Sequence, residues 1–212
     1  MKIDDLIKLA GDVSVINAES LKTGLQEIKS LEVQLSRWTK TGKLIQLRRG
    51  LYLLAEPYRK KMVNQLYLAS VIESPSYVSL EKAMEFHGLI PEAVYDYTCV
   101  TTKRPHSYRT PVGRFSYQHI KPELFWGYDS VTLDQSTAFV ASPEKALLDF
   151  FYFQRGKLSG GYLEEMRFQN MERVNPNRLK AYAGKFGKPK VARAACLLLE
   201  FLKSNRKGAW DA

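Results

Sequence analysis

The stretch Ile28-Lys29-Ser30-Leu31-Glu32-Val33-Gln34-Leu35-Ser36-Arg37-Trp38-Thr39-Lys40-Thr41-Gly42, followed by Lys43-Leu44-Ile45-Gln46-Leu47-Arg48-Arg49-Gly50-Leu51-Tyr52-Leu53-Leu54, decides the fold. Ile28, Leu31, Leu35 and Trp38 recur at three, four and three residues, the narrow apolar stripe of an amphipathic helix, and Gly42 stands where a left-handed C-cap belongs. Beyond it, Leu44 to Leu47 and Leu51 to Leu54 flank Arg48-Arg49-Gly50, the pattern of a short β-hairpin with glycine in its turn. Upstream, Ile3, Leu6, Ile7 and Leu9-Ala10 have helical spacing up to Gly11. Asn17 then precedes a second short helix over Ala18 to Leu25. Three helices and a hairpin are the layout of a winged helix-turn-helix module, expected over residues 1–57.

A helix turns about 100° per residue, so placing Leu31, Leu35 and Trp38 inward leaves Lys29, Val33, Ser36, Arg37 and Lys40 on the other side. Long cations with one small hydroxyl suit a helix in a major groove: arginine forks onto guanine edges while lysines meet phosphates. Lys43 follows the helix, and Arg48 and Arg49 stand at the hairpin tip, where a wing reaches the neighbouring backbone. The expected DNA-binding set is therefore Lys29, Ser36, Arg37, Lys40, Lys43, Arg48 and Arg49, with Arg37 reading bases. One such helix covers a half-site, so the expected partner is double-stranded operator DNA with inverted repeats.

The whole chain of 212 residues carries 32 Lys and Arg against 22 Asp and Glu, a net charge of +10 that favours a polyanionic partner. The excess is not spread evenly. Residues 29–61 hold nine basic and two acidic residues and residues 157–212 twelve and five, whereas the segments before and between them are each slightly negative. The second block includes Arg178, Lys180, Lys185, Lys188, Lys190 and Arg193, for which RNA, an acidic protein surface, further DNA or plain solvation are candidates. No apolar run approaches the ~20 residues of a membrane span. Met1-Lys2-Ile3-Asp4-Asp5 lacks the pattern of a secretory signal, and Cys99 and Cys196 both lie among apolar residues, as buried thiols do. A cytoplasmic protein without membrane contact is expected.

From Pro57 the pattern becomes mixed. A helix carrying Met62, Val63, Leu66, Ala69 and Ile72 is followed by strands around Tyr77-Val78, Tyr97 to Thr101, Ser107 to Thr110, Arg114 to Ile120, Ser130 to Leu133 and Ala138 to Val140, with a helix from Ser79 to His87 among them. Ser142-Pro143-Glu144 opens a strong helix, serine capping, proline in the first turn and an acid facing the dipole. Helices over Tyr162 to Phe168, Pro176 to Phe186 and Val191 to Leu202 complete an expected domain at 58–212: a small antiparallel sheet flanked by helices, making the chain α+β. Glu144 and Asp149, some 140° apart on one helix, read as a dipole partner and a solvated acid. The aromatic group Tyr95, Tyr97, Tyr108, Phe115, Tyr117, Phe125, Trp126 and Tyr128 reads as packing rather than a stacking platform.

Little supports catalysis. No phosphate loop, His-Glu-x-x-His element or nucleophile elbow occurs, and His87, His106 and His119 have no metal-ligand spacing to one another or to the cysteines. Glu27-Ile28-Lys29 matches a nuclease-like Glu-x-Lys triplet but opens a helix instead of lying on a strand. No enzyme, metal or cofactor is expected. The alternatives are a nucleic-acid-processing enzyme docked by a winged helix, and a transcription regulator whose second domain senses a small ligand.

Several motifs in order give the chain a family likeness: Leu35-Ser36-Arg37-Trp38 with Gly42-Lys43-Leu44-Ile45 and Arg48-Arg49-Gly50-Leu51-Tyr52; Tyr77-Val78-Ser79-Leu80-Glu81-Lys82-Ala83 with His87-Gly88-Leu89-Ile90-Pro91; Gly113-Arg114-Phe115; and Ala141-Ser142-Pro143-Glu144-Lys145-Ala146-Leu147-Leu148-Asp149. Taken together, the sequence resembles the AbiEi family of antitoxins from bacterial type IV toxin-antitoxin, or abortive infection, systems. The resemblance implies a winged-helix domain that represses its own operon in phage-defence loci. It also implies a C-terminal domain, to which the region from Tyr77 to Leu148 belongs, that counteracts a cognate nucleotidyltransferase-like toxin.

Overall fold

Gly11, Asn17 and Gly42 punctuate the first fifty residues. In the computed structural model, which describes residues 2–11, 13–22, 28–156 and 159–208 (the side chains of 22, 28–30 and 205–208 aside), they separate α1 (Ile3–Ala10), β1 (Val15–Asn17), α2 (Ala18–Lys22) and α3 (Ile28–Lys40). The Asn17 side chain accepts from Glu19 N, capping α2; the expected continuation to Leu25 lies outside the described residues. Gly42, at φ 70°, ends α3 with Lys43 N bonded back to the Trp38 carbonyl, so the last turn's carbonyls are satisfied. The chain then forms β2 (Leu44–Arg48) and β3 (Leu51–Leu54), which with β1 make a three-stranded antiparallel sheet in the order β1-β3-β2. The third strand is the addition to the expected helix and hairpin layout.

That sheet is buried on both faces, which explains the unbroken apolar run in β3. Ile16, Leu44 and Leu54 pack with Leu6, Leu31 and Leu35 beneath α1 and α3. Val15, Leu47, Leu51 and Leu53 face the other way and join the core of the rest of the chain. The boundary expected at residue 57 therefore follows an interface that shares apolar side chains, and the second unit lies on the face of the small sheet opposite α3.

The remainder comprises α4 (Gln65–Ile72), β4 (Ser76–Val78), α5 (Leu80–Phe86), β5 (Asp96–Thr101), β6 (His106–Thr110), β7 (Gly113–His119), β8 (Tyr128–Leu133), β9 (Ser136–Ala141), α6 (Pro143–Phe153), α7 (Gly160–Glu165), α8 (Pro176–Phe186) and α9 (Pro189–Gly208). The fold is thus α+β, with nine α-helices and two sheets among the described residues. The large sheet is neither small nor antiparallel throughout: six strands run in the order β6-β7-β5-β4-β9-β8, with β5–β7 and β4–β9 parallel. The reason is topological. Each outer hairpin, β6–β7 and β8–β9, docks through its second strand, and that strand must then run alongside its inner neighbour. The helix expected from Met62 starts only at Gln65, capped by Asn64, and Met62 is exposed. Cys99 is buried as expected, whereas Cys196 is exposed on α9. No helix among the described residues is long and apolar enough to cross a membrane.

α6 is enclosed by the sheet, α5, α8 and α9, and it buries charge. Asp149, read from sequence as solvated, has no exposed surface; it pairs with the equally buried Lys145 and accepts from Tyr77 Oη at 2.9 Å and Ser79 Oγ at 2.8 Å. The Lys145 ammonium also lies 4.6 Å from the Phe186 ring centre and 5.0 Å from that of Trp126. Burial pushes the Asp149 carboxyl up and the Lys145 ammonium down, each opposed by the other's charge. Because Ser79 is spent on Asp149, the Lys82 N–H at the start of α5 is satisfied instead by Thr98 Oγ1 at 3.0 Å. Glu144, expected as an exposed dipole partner, is also buried. It accepts from Asn175 N at 2.7 Å and sits 3.6 Å from Arg178.

Candidate nucleic-acid interface

Leu31 and Leu35 fix how α3 is rotated, because both are buried and Trp38 half-buried against α1 and the small sheet. The opposite stripe follows at helical spacing: Val33, Ser36, Arg37 and Lys40 are all exposed, with 52% of Val33 open to solvent. Glu32, the nearest acid and also exposed, borders that stripe one turn before Ser36. Such a ridge, apolar at one end and carrying two cations and a hydroxyl at the other, can enter a groove and meet thymine methyls, base edges and phosphates. The Lys29 side chain lies outside the described residues, though its backbone belongs to the first turn of α3.

Lys43, half-buried, begins the hairpin, and its carbonyl accepts from Ala55 N at 3.0 Å, closing the hairpin base beside the end of α3. From there β2 runs about 20 Å to the tip at some 3.3 Å per residue, far enough to pass from a major groove over the flanking backbone. At the tip the two arginines part. Arg49 is exposed, and Gly50 supplies the positive φ, 77°, that the tight turn requires. Arg48 turns inward: its Nε donates to the Ile72 carbonyl at 2.6 Å and its Nη1 to the Arg49 carbonyl at 3.3 Å. A guanidinium held by carbonyls braces the hairpin against the end of α4, so Arg48 is engaged within the chain, whereas Ser36, Arg37, Lys40 and Arg49 are exposed and Lys43 is half-buried.

The brace brings in residues that the sequence reading passed over. Glu73, next to Ile72, is contacted by Lys103 Nζ at 2.9 Å and Tyr108 Oη at 3.1 Å, and the hairpin packs along β6. Lys103 and Arg104, both exposed in the β5–β6 loop, therefore neighbour the β2–β3 hairpin. A signal for them exists. Residues 97–122 contain five lysines and arginines and no acid, a run hidden when charge is averaged over the acidic segments on either side.

The second basic block behaves differently. Lys185 lies 4.2 Å from the Trp126 ring centre, Arg178 approaches Glu144, Arg173 Nη1 donates to the His87 carbonyl at 2.7 Å, and Lys190 donates to the Tyr152 and Gln154 carbonyls. Much of its charge is used within the chain; Lys180 and Arg193 stay exposed. The aromatic group mostly packs, Phe115 and Tyr117 being buried, while Tyr95 stands exposed. His87, expected at a helix C-terminus, caps α5 and holds the Ala141 carbonyl through Nε2 at 2.7 Å.

No known family model and no curated protein matches this chain.

Proposed function

We propose that the first unit is a winged helix-turn-helix that binds operator DNA and represses its own promoter, and that the second unit counteracts a cognate nucleotidyltransferase-like toxin without itself doing chemistry. The DNA half of the reading is carried by one observation: the exposed stripe Val33, Ser36, Arg37 and Lys40 on α3, beside a hairpin whose tip presents Arg49. α3 lies in the major groove, with Arg37 on base edges and Lys40 on phosphate. Lys43 and Arg49 hold the flanking backbone, which Lys103 and Arg104 continue. Because the second unit packs on the far side of the small sheet, it leaves that stripe open. Two copies on inverted repeats supply specificity that one helix cannot.

The antitoxin half rests on the likeness to AbiEi proteins. Its carriers in the second unit, Tyr77 to Ser79 and Ser142 to Asp149, converge on the buried cluster around Asp149, where they serve the packing of that unit. Fluorescence anisotropy with a duplex from the chain's own promoter tests the first half: tight binding to it over a scrambled duplex is expected, with Arg37→Ala relaxing the preference. Equal affinity for both duplexes would overturn it. Co-expression with an adjoining nucleotidyltransferase-like gene tests the second half: growth is expected to recover, and unrelieved toxicity would refute it.

A further inference from the structure

The large sheet has a second surface, on the face turned away from the wing. Where β6 and β7 overhang the helices, alternation sends Phe115 and Tyr117 into the core and Arg114, Ser116 and Gln118 to the other side. The ladder aligns these residues in columns: Arg109 opposite Arg114, and Ser107 opposite Ser116, which in turn faces Thr98 on β5. Like charges directly opposite one another destabilise a sheet. Arg109 has no acidic partner among the described residues, and Arg114 shares only a half-exposed contact at 3.3 Å with Asp96. An arginine pair kept at that cost, within the acid-free run, suits an anion.

Beside the pair lies a cleft of about 290 Å³, the size of one small organic molecule. Its floor is Thr98, Ser116 and Gln118; its opposite wall is Phe150 and Phe153 from the end of α6. The Ser116 hydroxyl and the Gln118 amide have no hydrogen-bond partner among the described residues. The Gln154 side-chain carbonyl, also in the lining, is buried without one and wants an N–H donor. Glu81 adds a second acceptor. At the rim Leu80 takes a left-handed conformation, φ 58°, which a leucine adopts only when its surroundings impose it.

We propose that this cleft binds a nucleoside 5′-monophosphate, the base lying between the two phenylalanines and the polar floor and the phosphate on Arg109 and Arg114. Gln154 and Glu81 accept from the N–H edge of the base, and Ser116 and Gln118 fix its orientation. Two residues along a strand span about 6.7 Å, so the arginines stand one nucleotide's length from the base position. The assignment is independent of the DNA-binding reading, because the site faces away from the wing.

The test is isothermal titration calorimetry and thermal unfolding of the full chain at low ionic strength, with AMP, GMP, CMP and UMP. The free nucleosides, ribose 5-phosphate and inorganic phosphate serve as comparators. At least one monophosphate is expected to bind and raise the unfolding midpoint, more strongly than any comparator. The double variant Arg109→Ala and Arg114→Ala is expected to weaken it by about tenfold or more. The uncharged Ser116→Trp should block the cleft; if that variant misfolds, Gln118→Ala supplies the same reading. The arginine variant should keep its promoter affinity. No response to any monophosphate, unchanged affinity in the arginine variant, or inorganic phosphate binding as well as the nucleotide would each overturn the proposal while leaving the operator reading untouched.

Discussion

α3 and α6 are helices of similar length that treat charge in opposite ways. α3 lies at the surface, needs to bury only Leu31, Leu35 and part of Trp38, and leaves Arg37 and Lys40 in water. α6 is enclosed over Glu144 to Asp149, so Glu144, Lys145 and Asp149 are buried and each is matched by a partner. A cation in the open is available to a ligand at little cost to stability, whereas a cation in the core serves stability and is available to nothing outside.

The largest effect expected from that contrast is on folding. Asp149→Ala leaves the Lys145 ammonium buried without its carboxylate, so urea denaturation should show a loss of about 3–5 kcal/mol. Lys145→Met combined with Asp149→Leu should recover most of it, because the apolar pair removes both buried charges. A cost below about 1 kcal/mol for Asp149→Ala would mean that α6 is not enclosed as described. On α3 the same experiment should read almost nothing. Arg37→Ala with Lys40→Ala should leave stability within about 0.5 kcal/mol yet lower operator affinity by at least about tenfold, since each base or phosphate contact contributes roughly 1–3 kcal/mol.

The neighbouring arginines of the β2–β3 hairpin sharpen the comparison within two residues. Arg48→Ala should cost about 1–2 kcal/mol in denaturation, because a charge-assisted bond to the Ile72 carbonyl is lost at a half-buried site, and should leave the salt dependence of binding alone. Arg49→Ala should spare stability and make the salt slope shallower by about 0.9. The reverse outcome would return Arg48 to the DNA surface. The smallest effect belongs to His87. Burial lowers its pKa, so the native state takes up a proton less readily than the unfolded chain. Its contribution to stability is full above the ordinary histidine value of about 6.5 and declines as pH falls below it. His87→Gln, which still offers a donor to the Ala141 carbonyl, should flatten stability measured across that acid range.

Periodicity exposed α3 because an amphipathic surface helix writes its orientation into its sequence, and Gly42, Gly50 and Ser142 marked element ends through local backbone chemistry, whereas the Asn64 cap went unread and the start of α4 was placed too early. What pattern reading missed depends on distant partners. Asp149 looks solvated until Tyr77, Ser79 and Lys145 converge on it. Arg48 looks like a phosphate ligand until the hairpin docks on α4. The parallel pairs of the large sheet follow from which strand of each hairpin docks inward, a choice that strand composition does not record. β1 is three residues long, too short for alternation to announce it.

The most direct test of the account is the salt dependence of binding to the promoter duplex. Five phosphate contacts, from Lys40, Lys43, Arg49, Lys103 and Arg104, predict that the logarithm of the affinity falls with the logarithm of salt concentration at a slope of roughly −4 to −5. Substituting Lys103 and Arg104 by alanine should reduce it by about two. A slope shallower than about −1 in the wild-type chain would contradict the claim that α3 and the wing present one surface to a duplex.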